Sequence, residues 1–85
     1  MAVDAPANEL VERVVEIAAR VFELHEKRLS MTDSPQTIER WDSLNHLKLI
    51  TAIETEFGIR LPMQTVLKIN DVAALVAAVQ SHTEE

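Results

Sequence analysis

Three side chains that could take part in covalent or proton-transfer chemistry fall within five residues of one another: Asp42, Ser43 and His46 in "WDSLNHLK". A serine with an aspartate and a histidine nearby raises nucleophilic catalysis first. Such a serine needs a sharp turn, an oxyanion hole and an aspartate that orients the histidine. Here no glycine flanks Ser43 and Asp42 precedes a helical run, so hydrolysis is not expected. Metal chemistry fares no better. His25, His46 and His82 are far apart, "HEKRL" lacks the second histidine of a zinc-binding H-E-x-x-H, and no metal site is expected. The three histidines read as surface or boundary residues. With no cysteine, the chain has neither a disulfide framework nor a thiol of its own to offer. What remains is Ser43 as a displayed hydroxyl. Asp42 before the helix can accept from free backbone N–H groups of the first turn. A serine at the first helical position lies beside unpaired N–H groups and the positive end of the helix dipole, a favourable place for a phosphate group. Capping and phosphate carriage are compatible uses of one helix start.

The elements that must position Ser43 follow from periodicity. Leu10, Val14, Ile17, Val21 and Leu24 recur at spacings of three and four, which predicts an amphipathic first helix over about residues 8 to 27, capped by Asn8. Val11, Val15, Ala18 and Phe22 widen its apolar arc. "LSMTDSPQTIERWD", residues 29 to 42, breaks the period and predicts a long loop pinned by Ile38 and Trp41. Trp41 reads as a packing residue that helps fix where Ser43 points. The second helix should run from just after Asp42 to Phe57, with Gly58 closing it in the left-handed region. Its core side is expected to be Leu47, Ile50, Ile53 and Phe57, with Leu49 at the edge. At 100° per residue, Leu44, Lys48, Thr51 and Thr55 form a stripe on the opposite side, so Leu44 should be an exposed apolar residue beside Ser43. Pro62 keeps Leu61 extended. A short third helix over Met63 to Lys68 and a last helix from Asn70 or Asp71 through Val79 complete the set, the last with Val72, Leu75, Val76 and Val79 as its stripe. Ala52, Ala74, Ala77 and Ala78 permit either a core cavity or tight helix packing.

One glycine and three prolines in 85 residues favour an all-α fold. The length suits one domain over residues 1–85, with an ordered core at about 8–80 and frayed ends at 1–7 and 81–85. Fourteen acidic against eight basic residues give a net charge of −6, which repels nucleic acid and anionic lipid and leaves a protein as the expected macromolecular partner. "MAVDAPANEL" lacks a basic segment followed by an apolar run, and no stretch reaches membrane-spanning length. The expectation is a cytoplasmic monomer with no membrane insertion.

"WDSLNHLKLITAIETEFGIRLP", Trp41 to Pro62, resembles the acyl carrier protein family. The D-S-L motif at Asp42 to Leu44, the "EFGI" helix end at Glu56 to Ile59 and "LKINDVAALV" fall in register, and the resemblance covers about residues 8 to 80. D-S-L alone is a weak signal; with the downstream helical pattern and the long first loop it is a strong one. The resemblance implies a four-helix bundle with a long first loop and a short third helix. It also implies that Ser43 is the attachment point for 4'-phosphopantetheine, with Asp42 as motif residue and helix cap, installed from coenzyme A by a magnesium-dependent phosphopantetheinyl transferase. The chain would then be a carrier and not an enzyme, holding acyl intermediates as thioesters for an acyltransferase, ketosynthase or adenylating enzyme. The missing cysteine fits that reading, because the thiol would be borrowed.

The family usually presents an acidic second helix to basic patches on partner enzymes. In this sequence Asn45 and Lys48 stand where acidic residues are common, and "MQTVLK" is less acidic than many third helices of the family. This points away from housekeeping fatty acid synthesis and toward polyketide or other specialised biosynthesis, with Leu44, Lys48, Thr51 and Glu54 as partner contacts. An aminoacyl or peptidyl carrier, including the D-alanyl type, is the neighbouring alternative, although peptide-synthetase carriers more often have glycine-rich residues before the serine. From a different class, an unmodified helical interaction module would use Ser43 only to begin a helix.

Overall fold

The computed structural model describes residues 5–25 and 29–83. It has four helices: α1 (Ala5–Phe22), α2 (Ser43–Phe57), α3 (Met63–Lys68) and α4 (Val72–Thr83), with a loop of some twenty residues between α1 and α2. The expected all-α architecture with a long first loop and a short third helix is what the chain adopts.

One core joins all four helices. Val14, Ile17, Ala18 and Phe22 of α1, Leu49, Ile50 and Ile53 of α2, Val66 of α3 and Val72, Leu75, Val76 and Val79 of α4 are buried together. The α4 stripe is the expected one. On α2 the phase differs from expectation: Leu49 is fully buried, whereas Leu47 is 55% exposed and Phe57 only half-buried. Leu49 and Ile53 lie one turn apart and share the core-facing line with Ile50. Leu47 lies outside that line, where α2 borders α3. Ala52, Ala74 and Ala78 are half-buried and Ala77 is exposed; Ala52 and Ala78 pack against the edge of the core.

Helix boundaries at α2 and α3 match the sequence reading. Those of α1 and α4 do not. α1 begins at Ala5, three residues before the expected cap Asn8, with Pro6, which lacks an N–H, tolerated in a first turn that needs none there. It ends at Phe22 instead of extending to 27; residues 26–28 lie outside the described residues. Glu23 takes the left-handed conformation (φ 60), its N–H bonds the Arg20 carbonyl at 3.2 Å and the Leu24 N–H bonds the Ala19 carbonyl at 2.7 Å. This paired closure usually employs glycine. At the other end, α4 continues four residues past Val79, through Gln80 to Thr83, because nothing there breaks a helix. His82 and Thr83 bond the Ala78 and Gln80 carbonyls at 2.9 and 3.2 Å.

The long loop is ordered by its own polar side chains. Asp33 accepts from the Ser30 N–H at 2.7 Å and the Thr37 hydroxyl at 2.9 Å, while the Ser34 N–H donates to Thr37 Oγ1. Ile38 and Trp41 pin it to the core, 8% and 3% exposed. The loop in turn satisfies α4. The N–H groups of Val72 and Ala73 donate to the Asp33 and Met31 carbonyls, and Asp71 accepts from Ala74 and Leu75, so all four donors of that first turn are paired. Among the described residues no helix is long and apolar enough to cross a membrane, and no cluster of histidine and carboxylate side chains could hold a metal ion.

Candidate functional site

Ser43 is the first residue of α2. Asp42 before it is extended (φ −102, ψ −176), and its Oδ1 accepts from the Asn45 N–H at 2.9 Å while its carbonyl accepts from the His46 N–H at 2.8 Å. The expected cap is therefore present. Ser43 itself is exposed and forms no side-chain hydrogen bond among the described residues. Its hydroxyl stands at the positive end of a 15-residue helix, beside first-turn N–H groups that Asp42 does not use.

The approach to Ser43 is fixed from three sides. Trp41 packs on Phe22 of α1, ring centroids 5.2 Å apart, and anchors the residue before the cap. Asn45 turns its side-chain N–H back onto the Arg40 carbonyl at 2.7 Å. A carboxylate could not donate that bond, which gives a local reason for asparagine at this position. Arg40 is also paired with Glu23 at the end of α1, N to O 3.1 Å.

Beside the serine lies an apolar groove of about 540 Å³ between the start of α2, the end of the long loop and α3. Pro35, Trp41, Leu47, Met63 and Leu67 supply much of its wall, and Asp42, Ser43 and His46 stand along it. Leu47, Met63 and Leu67 are 55%, 63% and 76% exposed. A hydroxyl free of internal bonds, a positive helix end and an adjoining apolar trough form a set that a phosphate-linked arm carrying an apolar load would fit.

Other residues singled out from the sequence divide. Leu44, Lys48, Thr51 and Thr55 all face outward, as expected. Glu54, one of the four expected partner contacts, is half-buried and its Oε2 accepts from the Leu61 N–H at 2.9 Å. Its carboxylate is engaged inside the chain. Glu56 is held by Arg13 at 2.6 Å, whose guanidinium also lies over the Phe57 ring. Lys48 has no ion-pair partner among the described residues. His46 is half-buried, as a boundary residue should be, but it has a role beyond that expectation. Its ring bridges Trp41 and the backbone of α3, a role that spacing alone did not signal.

Residues 12–79 match the family model described as "Phosphopantetheine attachment site". A 44-residue stretch is 41% identical to the acyl carrier protein of Clostridium acetobutylicum; it spans 52% of this chain and 57% of that protein. The fold superposes on the solution structure of a holo acyl carrier protein from Geobacter metallireducens with a TM-score of 0.79, at 26% identity over 87% of this chain and 85% of that one.

Proposed function

The chain belongs to the phosphopantetheine-binding acyl carrier protein family, and from that premise we propose that Ser43 is its attachment residue and that residues 1–85 act as one carrier domain for acyl groups. The observation that carries the proposal is the Ser43 hydroxyl, exposed and without an internal bond at the start of α2, within the segment that matches the family. The bound group would supply the thiol that the sequence lacks. The chain's own residues do the positioning. Asp42 takes the N–H of the third helical residue and leaves earlier donors free for a phosphate; Trp41 and Asn45 fix the direction from which the loop enters α2.

The outward side of α2 is the face we assign to partner enzymes: the transferase that loads Ser43 and the acyltransferase, ketosynthase or adenylating enzyme that uses the arm. Leu44, Lys48 and Thr51 are its free side chains, with Glu54 acting from beneath by holding Leu61. Because Lys48 is unpaired while Glu54 and Glu56 have internal partners, this face does not offer the run of free carboxylates usual in the family. That supports a specialised pathway such as polyketide assembly.

Incubation with coenzyme A and a broad-specificity transferase, followed by intact-mass measurement, tests the assignment. The expected result is a gain of one phosphopantetheine in the wild type and none in Ser43→Ala. The same gain in both proteins, or none in either, would refute it. Which enzyme then loads the modified protein, an acyltransferase or an adenylating enzyme, separates an acyl from an aminoacyl load.

A further inference from the structure

The hydrogen-bonding partners of His46 select one tautomer of its ring. An indole N–H can only donate and a backbone carbonyl can only accept. Trp41 Nε1 lies 2.9 Å from His46 Nδ1, and the Val66 carbonyl lies 3.2 Å from His46 Nε2. The tautomer that satisfies both contacts carries its lone pair on Nδ1 and its proton on Nε2.

What the ring joins gives the bridge its importance. Trp41 lies two residues before Ser43, meets the His46 ring edge to edge at an interplanar angle of 21° and packs on Phe22 of α1. The Val66 carbonyl closes the last turn of α3, where it also accepts the Ile69 N–H at 3.2 Å. α3 has six residues, no side-chain cap at Pro62 and one buried side chain of its own, Val66; the buried Leu61 and Ile69 just outside its ends anchor the flanking chain. Trp41, His46 and Val66 line the groove together with Ser43.

We propose that His46 is a positioning residue for the Ser43 site: its Nε2–H form clasps Trp41 and α3 together along the groove, and a proton gained at Nδ1 releases the Trp41 side alone. A protonated Nδ1 would set two donors against each other with no acceptor between them, while the Nε2–H bond to Val66 survives. The charged groups on the elements next to the clasp are Asp42, the cap of α2, whose carboxylate is held by the Asn45 N–H; Arg40 of the loop, paired with Glu23; and Lys68 in the last turn of α3. The ring contact from α1 is Phe22 on Trp41. Among the groove-lining residues Asp42 is the one other titratable group. The consequence for loading rests on the proposed role of Ser43; the clasp itself does not.

Long-range ¹H–¹⁵N correlation spectra of the histidine rings, with the indole N–H of the sole tryptophan as reporter, test the clasp through a pH titration. At neutral pH the wild type should show His46 unprotonated at Nδ1, and on acidification the His46 and indole signals should move with one midpoint. His46→Asn places an acceptor where Nδ1 stood, so the indole stays bonded but loses that acid response. His46→Gln restores a donor where Nε2 stood, so the indole bond is lost while the amide signals of Val66 to Ile69 keep their positions. In loading assays with coenzyme A and a transferase, His46→Ala should raise KM for the carrier roughly 2- to 10-fold at unchanged kcat, the worth of about one hydrogen bond, with partial recovery in His46→Asn. A proton on Nδ1 at neutral pH, an indole response that persists in His46→Asn, or an unchanged KM in His46→Ala would overturn the proposal. If His46→Ala does not fold, the two amide variants decide through the spectra. Failure of the wild type to load, with the spectra as expected, would instead count against Ser43 as the attachment residue.

Discussion

α2 and α3 border the same groove but are held in opposite ways. α2 is closed at both ends, by Asp42 at its start and by Gly58, whose φ is 64 and whose N–H returns to the Glu54 carbonyl. It buries Leu49, Ile50 and Ile53 in the shared core. α3 has no side-chain cap, buries Val66 alone and exposes Met63 and Leu67. The difference separates two tasks within one bundle. The helix that displays Ser43 is a platform with a direction set by the core, and the wall opposite is held by Val66, by the buried Leu61 and Ile69 at its ends and by the histidine bridge. A carrier needs the first to be firm and gains from the second being able to yield to what lies in the groove.

The contrast can be broken most strongly at α2, by comparing two leucines two residues apart. Leu49→Ala removes a fully buried side chain and should cost about 2–5 kcal/mol in denaturant unfolding, whereas Leu47→Ala, on the groove side, should change stability by about 0.5 kcal/mol or less. Equal losses at the two sites would erase the distinction between platform and wall. Val66→Ala comes next, at about 2 kcal/mol, with faster amide exchange confined to α3. Similar acceleration throughout α2 would show that the two helices are not independently held. Asp42→Ala should cost about 1 kcal/mol through loss of the cap, and thermal melts in which it equals wild type would remove the reason given for the direction of α2.

The smallest expected effect is an acid one, in the loop that supports α4. The Ser30 N–H holds the Asp33 carboxyl below its ordinary value of 3.8; partial burial opposes this, and the Thr37 and Ser30 hydroxyls reinforce it. A group whose folded value is depressed contributes stability that is fully present above its ordinary value and is lost as pH falls through the folded one. Melting temperatures of Asp33→Asn should therefore decline less steeply than those of wild type below about pH 4, and parallel curves would assign the acid dependence elsewhere.

Local chemistry made much of this legible from sequence. Asp42, Gly58 and Pro62 each act on their own backbone, so the limits of α2 and α3 could be read directly. The outward stripe of Leu44, Lys48, Thr51 and Thr55 followed from helical geometry and holds. The end of α1 was not legible, because Glu23 occupies a left-handed position where glycine is the usual signal. The exchange of Leu47 for Leu49 had a different origin: a helix bordering two others has two apolar sides, and periodicity alone does not say which of them packs tightly. His46 was missed for a related reason. The bond from Trp41 spans five residues, but the one to Val66 spans twenty and exists only once α3 is in place.

The central claim is that the oxygen at the start of α2 is a point of covalent attachment. Tryptic peptide mapping of the protein purified from its own cells tests it most directly, since cleavage after Arg40 and Lys48 isolates Trp41 to Lys48 with Ser43 as its only hydroxyl-bearing residue. The account predicts that this peptide carries the mass of phosphopantetheine, with or without a load. An unmodified Trp41–Lys48 peptide throughout the population, or the added mass on a peptide holding Ser30 or Ser34 instead, would contradict it.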